Sequence, residues 1–489
     1  MTRRSGQSVP RETPREHLHF IGISGHTMRG LALAARELGH AVTGTDEGAY
    51  PPGSDWLDER GIQWSREPSN AHLEGVDRVI ITGSVPSDHP EVAEAKRRKI
   101  PVLSFAELVG QLTGRARRIV VAGTHGKTTT TSLLAWTFES AGKRPDFLVG
   151  IQPRNFDTSV RLRGAAMALV EGDEYRSSQL DDSSKFAHYR PDTLVLTSIE
   201  HDHPDFFQDL AAVRDRFAEL IKDLPAGGRL VHWAGSETVR EVAEAYKGER
   251  HSYAFEDADW YPEHPRYEPG GIRFVLKHHK DTLGELSVPL YGEHNVLNAV
   301  AAAVVALREG LSFESVAKAF AGFQGAARRF ELVSEPDAEI TVIDDYAHHP
   351  TEARTTIRAA KLHYPERRVI AVYQPHQYSR TKQLLSDYAT AFEDADTGFI
   401  TKIEEAREWG KAADISGADI VKAAKRAAKD AKPTATEDAP DTRLRYVEDR
   451  AELLDAVAKE ARPGDVILSM SVSGNDFFVQ ALAKRLEAR

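Results

Sequence analysis

Cysteine is missing from all 489 residues, which excludes disulfides, thiolate metal sites and a cysteine nucleophile, and fits a reducing compartment. No apolar run approaches the roughly 20 residues that a membrane-spanning helix needs. An excess of positive charge is also lacking. With 63 Lys and Arg against 74 Asp and Glu the net charge is -11, so neither nucleic acid nor an acidic membrane is an expected partner. A local basic cleft could still hold an anion. The opening MTRRSGQSVPRETPRE has a twin arginine but no apolar segment behind it, so residues 1–16 read as a disordered leader and the protein is expected in the cytoplasm. What remains is ordinary globular composition, 41% hydrophobic and 28% charged, in a chain too long for one core at about 100–200 residues per domain; about three domains are expected.

The order of elements gives the fold class. HLHFIGISGHTMRGLALAARELGHAVTGTD reads as a strand from His17 to Ile21, a glycine turn, a helix, and a second strand ending at Asp46. DRVIITGS (77–84) and IPVLS add strands around a helix. A second series opens at RRIVVAG and continues through AAMALVEGDE (165–174), DTLVLTSIEHDH (192–203) and GRLVHW (228–233). Residues 250–290 are richer in aromatic and β-type residues and read as a small antiparallel addition. A third alternation starts near Ala338, with a polar segment at 425–443 read as an exposed helix end and loop. Strands alternating with helices mean an α/β protein with parallel sheets.

Within this frame one motif carries chemistry by itself. GTHGKTT, from Gly123 to Thr129, lies between an apolar strand and an apolar helix. A Walker A loop would have glycine where Val121 stands. The physics is nonetheless that of a phosphate loop: Gly123 and Gly126 let backbone N–H groups approach an anion, and Lys127 can neutralise β/γ oxygens. Thr128 can ligate Mg²⁺ through its hydroxyl. EGDEY (171–175) and EHDHPD (200–205) each follow an apolar strand, where side chains face the ligand crevice of an α/β sheet and can complete a Mg²⁺ shell. The remaining motifs have two readings each. GISGHTMRG, with Gly22 and Gly25, is either a plain tight turn or part of a dinucleotide site with Asp46 at the ribose. His294, Asn295 and Asn298 could read an adenine edge or cap a helix. Arg328 and Arg329 could steady a transferring phosphoryl group or be surface charge. Asp345, His348 and His349 follow a strand, and the histidine pair has no close third ligand for zinc.

In their order, GTHGKTT, EGDE, DH, GEHNVLN, RRF and DDYAHHP resemble the Mur ligase family, and the resemblance runs from His17 onward. It implies a three-domain architecture: a Rossmann-like UDP-sugar domain at 17–112, a P-loop ATPase domain at 113–332, and a Rossmann-like acceptor domain at 333–489. It also implies ATP-dependent amide-bond formation through an acyl phosphate, with ATP, Mg²⁺ and UDP-N-acetylmuramate as ligands. By the same analogy Gly123, Thr124, His125, Gly126, Lys127, Thr128 and Thr129 bind ATP phosphates, and Thr128, Glu174 and His203 bind metal. His294, Asn295 and Asn298 would lie by the adenine, Arg329 near the γ-phosphate, and Asp345 at the ribose. Gly22, Ser24, Gly25, His26, Thr27, Met28, Asp46 and Ser84 would contact the UDP-sugar, and His348, His376 and Arg380 the acceptor. Lys127, Glu174, His203, Arg329 and His348 would carry catalysis.

Several members use a carbamylated lysine some fifteen residues past the His203 position; here DRFAEL, with Phe217, stands there, which groups the chain with members acting on UDP-N-acetylmuramate itself. Two acceptors then compete. Tyr50-Pro51-Pro52, GIQPRNFDTSVRL and EGDEYRSSQLDDSSKFAHYRPDTLVLTSIEHDH are similar to ligases that recycle the tripeptide L-alanyl-γ-D-glutamyl-meso-diaminopimelate. YQPHQYSRT is similar to the F-Q-P-H-R-Y-T-R-T of the L-alanine-adding members, with Gln377 in place of an arginine. The balance of motifs favours the tripeptide, with L-alanine the alternative. A nucleotide-binding regulator that has lost its chemistry is the alternative of another class, and retention of Lys127, Thr128, Glu174, His203 and Arg329 speaks against it. An NAD-dependent oxidoreductase would leave the phosphate loop without a role.

Overall fold

A computed structural model describes residues 15–334, 338–408, 414–431, 443–472 and 475–487. Most of the expected leader, residues 1–14, lies outside the described residues, as does 432–442 of the polar segment. Residues 425–431 of that segment are helical, inside Gly417–Ala431.

Among the described residues three large sheets follow one another along the chain, and a two-stranded ribbon, Arg176–Ser178 with Asp181–Ser184, lies within the stretch that forms the second. The first has the spatial order Gln63–Ser65, Ala41–Thr45, His17–Ile21, Arg78–Ile81, Val102–Ser104, all parallel, the half-sheet order of a Rossmann-like fold. The second strand stops at Thr45, one residue before Asp46. Helix starts are specified locally. Phe105–Leu112 opens with a capping box in which Ser104 and Glu107 exchange hydrogen bonds, and Pro90–Arg98 carries proline in its first turn behind the His89 cap.

The second sheet has ten strands. Its centre is Arg117–Ala122, flanked in parallel by Met167–Gly172 and Thr193–Leu196, with Arg229–Trp233 and Glu249–Tyr253 beyond. The stretch at 250–290 contains the expected antiparallel addition, built onto the edge of this sheet. Trp260–Glu268, Gly271–His278 and Asp281–Val288 make an antiparallel meander that extends the same sheet, joined by the Tyr253–Trp260 pairing. Two helices, Lys127–Ser140 and Glu293–Arg308, pack together on one face and are buried almost all round, so their sequences show no amphipathic stripe. Both begin at the functional loops.

In the third sheet the last strand of the chain, Val466–Met470, inserts between Thr341–Asp345 and Val369–Tyr373, followed outward by Thr397–Ile400 and Leu444–Tyr446. Apolar clusters cover both of its faces. The first and second sheets share one cluster, running from Leu18, Phe20 and Met28 through Val160 to Val120 and Leu194. Gly30 permits that junction, since a Cβ there would lie 2.9 Å from Val160 Cγ2.

Candidate active site

The phosphate loop is gripped from two sides. Gly123 (φ 140°) leaves the central strand where a Cβ would fall 2.1 Å from Thr197 Oγ1, and Gly126 (φ 81°) where a Cβ would fall 2.4 Å from Asn298 Oδ1. Only glycine supplies both the space and the left-handed backbone. The Thr124 and His125 N–H groups donate to Ser198 O (3.0 Å) and Ser198 Oγ (2.8 Å), locking the loop to the neighbouring strand end. The helix that follows has Gly126 at its N-cap and no capping side chain, so its first-turn donors are left for an anion.

Lys127 does not yet point to a ligand. Its Nζ donates to Gly123 O (2.6 Å), Thr124 O (3.1 Å) and Glu174 Oε2 (2.9 Å). Burial works against its charge, but Glu174 and Asp173 more than offset this and hold the ammonium above its ordinary range. Glu174 is buried; burial favours its neutral form, but Lys127 and His203 together keep it below the usual carboxylate value. Its Oε1 has no hydrogen-bond donor and lies 3.5 Å from His203 Nε2. Thr128 is in the same place but paired differently: its hydroxyl donates to Glu171 Oε1 (2.7 Å), whose other oxygen accepts from Gly150 N (2.6 Å). Burial, helped by Asp173, pushes the Glu171 carboxyl up. The oxygen-rich set Thr128, Glu171 and Glu174, with an orphan carboxylate oxygen, has the donor chemistry of a Mg²⁺ site. Glu171, read in the sequence only as part of EGDEY, is brought beside Thr128 because Met167–Gly172 pairs with Arg117–Ala122.

Beside the loop lies a cavity of about 530 Å³ between the second and third sheets. His125, Gly126, Thr128 and Thr129 line it from the loop, His294, Asn295 and Asn298 from the facing helix, and Arg329 and Asp345 from the third region, whose sheet takes in Glu331–Leu332, ahead of residue 333. Gly123, Thr124 and Lys127 lie behind this lining. Asn298 Nδ2 donates to Asn295 Oδ1 (2.9 Å), and Asn295 Nδ2 to Tyr291 O (2.8 Å), so the two amides are chained. Burial and Arg329 bring the His294 imidazole down to about 4, leaving it neutral. Of the arginine pair, Arg328 anchors the third region, donating to Ser471 O (2.5 Å) and Val472 O (2.6 Å), and Arg329 faces the cavity. Asp345 also lines it, although its carboxylate already accepts from Phe330 N (2.7 Å) and Ala347 N (2.8 Å). An aromatic wall of Trp233, Tyr253 and Phe255 completes the cavity and was not anticipated from sequence.

The acceptor candidates gather around a buried ion pair between regions. Arg380, 1% exposed, donates through Nε to Asp202 Oδ1 (2.7 Å) and through Nη1 to His376 Nδ1 (3.0 Å). A guanidinium only donates, so His376 accepts at Nδ1. Burial opposes ionisation of Asp202, but Arg380 holds it well below its ordinary value. The His348 ring lies 5.8 Å from that of His376; its Nδ1 meets Tyr346 O (3.0 Å), and burial lowers it to about 4 despite Glu352. His348 and His349 share no ligand set: the His349 ring faces His125 at 4.9 Å, and its Nε2 meets His201 O. Gln377 is fully buried, with neither amide atom hydrogen-bonded.

The first-region set is separate from the cavity. Gly22 (φ 79°) makes the turn, and Asp46 holds it closed, accepting from Ser24 N (2.9 Å), Ser24 Oγ (2.5 Å) and Gly48 N (3.0 Å). Gly25 is the N-cap of His26–Glu37, again without a capping side chain. His26 is exposed and Thr27 half-buried, whereas the Met28 side chain belongs to the core, leaving only its backbone for a ligand. Exposed Ser84 pairs with Thr82 Oγ1 (2.7 Å).

A glycine loop at a central strand, an uncapped helix behind it and a second parallel sheet closing over the cavity define a phosphate-loop α/β protein. Comparison with known proteins narrows the class. The Mur ligase family catalytic domain matches residues 17–117, the Mur ligase middle domain 121–306, and the Mur ligase glutamate ligase domain 328–472. The UDP-N-acetylmuramate–L-alanine ligase of Geobacter sp. strain M21 is 35% identical over 475 residues, 97% of this chain and 98% of that one. The chain therefore belongs to the Mur ligase family, whose members are ATP-dependent amide-bond-forming ligases. Among solved structures, the UDP-N-acetylmuramate–alanine ligase of Thermotoga maritima shares the fold, with a TM-score of 0.78 at 22% identity over 97% of this chain and 100% of that chain. A murein peptide ligase from Psychrobacter arcticus gives 0.68 at 28% identity, over 96% and 98%. No helix among the described residues is long and apolar enough to cross a membrane.

Proposed function

We propose that the chain joins the carboxylate of UDP-N-acetylmuramate to the amine of L-alanine at the expense of ATP. The observation that carries the ligase chemistry is the cavity itself, with the phosphate loop on one wall and Arg329 and Asp345 of the third region on the other. The γ-phosphoryl group would pass to a carboxylate oxygen and ADP would leave. The amine nitrogen would then bond to the acyl carbon as phosphate departs. Such a transfer needs position and positive charge more than a side-chain nucleophile, and Lys127, the uncapped helix start and Arg329 supply both. Thr128, Glu174 and His203, with Glu171, would hold Mg²⁺, which neutralises phosphate oxygens when bound. His348, with Nδ1 turned to the Tyr346 carbonyl, keeps Nε2 as an acceptor for the proton the amine sheds.

L-alanine as acceptor is supported by a relative of that name matching across all three regions, the third included, and by the His376–Arg380 pairing in the YQPHQYSRT motif. This reverses the preference drawn from sequence motifs alone. One observation favours the tripeptide: the unpaired carboxamide of Gln377 offers a donor and an acceptor, which complement a peptide bond better than a lone carboxylate. Phosphate release with ATP, Mg²⁺ and UDP-N-acetylmuramate separates the two. Release with L-alanine and not with the tripeptide is expected, and the opposite pattern would overturn the acceptor assignment. Nucleotide binding without release for either amine would leave a regulator.

A further inference from the structure

We propose that Glu352 is a positioning residue that keeps His125 of the phosphate loop doubly protonated whenever the third region is docked. The effect on turnover rests on the ligase reading above; the protonation state does not. His125 lies between carboxylates of two regions: Nδ1 is hydrogen-bonded to Glu352 Oε1 (3.2 Å), and Nε2 faces Glu200 Oε2 at 3.4 Å as an ion-pair contact without a hydrogen bond. A neutral imidazole has one N–H and would turn a lone pair toward one of these anions; the imidazolium faces both with protons.

The other groups around the ring do not reverse this. The His349 ring lies 4.9 Å away, tilted by 55°, and His294 lies on the facing helix, both shifted by burial toward the neutral form, and Arg329 Nη1 is 4.0 Å from the Glu352 carboxylate. Burial disfavours the charged ring, but Glu200 and Glu352 together raise its pKa to about 10.

Glu352 is fixed to its own helix. Oε2 accepts from His348 N (3.0 Å) and His349 N (3.2 Å), the capping box that starts Pro350–His363, which leaves Oε1 projecting at the loop. The carboxylate therefore travels with the third region. A second tie, Thr351 Oγ1 to Glu200 Oε2 (2.7 Å), fixes the other carboxylate to the same helix. Since Lys127 is engaged by Glu174, His125 is the loop cation that faces the cavity, and its charge depends on docking. Phosphoryl transfer is thereby linked to the presence of the acceptor-side region.

The test is a pH titration of ¹⁵N-histidine NMR signals in the full chain, with His125 assigned through His125→Gln. In the wild type His125 should stay doubly protonated from pH 6 to 9. In Glu352→Gln its midpoint should fall into that range, and Glu200→Gln should move it the same way if Glu352→Gln does not fold. A neutral His125 in the wild type at pH 7.5, or an unchanged midpoint in both variants, overturns the proposal. In turnover, Glu352→Gln should lose kcat/KM for ATP progressively as pH rises, whereas a merely structural role would lower it equally at every pH. A wild type inert with both amines would sink the ligase reading and leave the NMR result standing.

Discussion

Asp202 and Arg380 make the sharpest demand on the architecture. Separated by 178 residues, they meet at 2.7 Å across the junction of the second and third regions, at 7% and 1% exposure. Removing one partner of such a pair strands the other charge in a medium that solvates it poorly, at a cost of about 3–5 kcal/mol. At roughly 1.4 kcal/mol per tenfold change, the ratio of docked to undocked third region should fall by a factor of about 10² to 4 × 10³. Asp202→Asn and Arg380→Met should each show this; the double variant, with neither charge, should recover most of the loss. Hydrogen exchange over residues 200–208 and 376–384, with small-angle scattering for the interdomain distance, reads docking apart from global unfolding. Single variants costing under about 1 kcal/mol would class the pair with solvated surface bridges and refute the reasoning. So would a double variant as damaged as the sum of the singles.

Other outcomes follow from single atoms. Lys127→Ala should nearly abolish phosphate release while leaving UDP-sugar binding, measured calorimetrically, unchanged. Gly126→Ala forces a Cβ to 2.4 Å from Asn298 Oδ1 at φ 81°, and should weaken ATP binding by tenfold or more, a loss of at least about 1.4 kcal/mol; an unaltered Kd would mean that the loop yields freely. Glu91, in the first region, gives a pH prediction. Burial opposes its ionisation, but His19, the Ser69 N–H and His72 hold it at about 2, below its ordinary 4.5. The native state therefore prefers the ionised form, so this stabilisation is whole above pH 4.5 and drains away as pH falls toward 2. Urea midpoints should flatten over that window in Glu91→Gln, and an unchanged slope would count against the assignment.

How far the sequence carried depended on where each signal lies. The phosphate loop is local: strand, two glycines, lysine and helix sit in one stretch, and the fold places them as read. Asn298 and Arg329 each had two readings in sequence, and only resemblance chose between them, because nothing in GEHNVLN or AARRFE points to a loop so far back along the chain. The aromatic wall was opaque for a different reason. Trp233 and Tyr253 end β-strands and look like core, and only the pairing of Arg229–Trp233 with Glu249–Tyr253 sets them side by side above a cavity. Glu352 was hidden by its local duty, since a glutamate three residues past a helix cap is already explained. The meander at 260–288 was visible as β structure, but its attachment to the central sheet rests on a single parallel pairing, Tyr253 with Trp260, which no alternation of residues announces.

The placement of the cavity also fixes an order of events. Its floor belongs to the second sheet and its lid, through Arg329, Asp345, Thr351 and Glu352, to the third region. A nucleotide seated there is clasped by two bodies, and neither body alone encloses it. Entry must come before the clasp closes, and departure of the spent nucleotide must wait for it to open. Both passages would need the same two protein surfaces to part, which makes that opening a step common to the start and the end of each turnover.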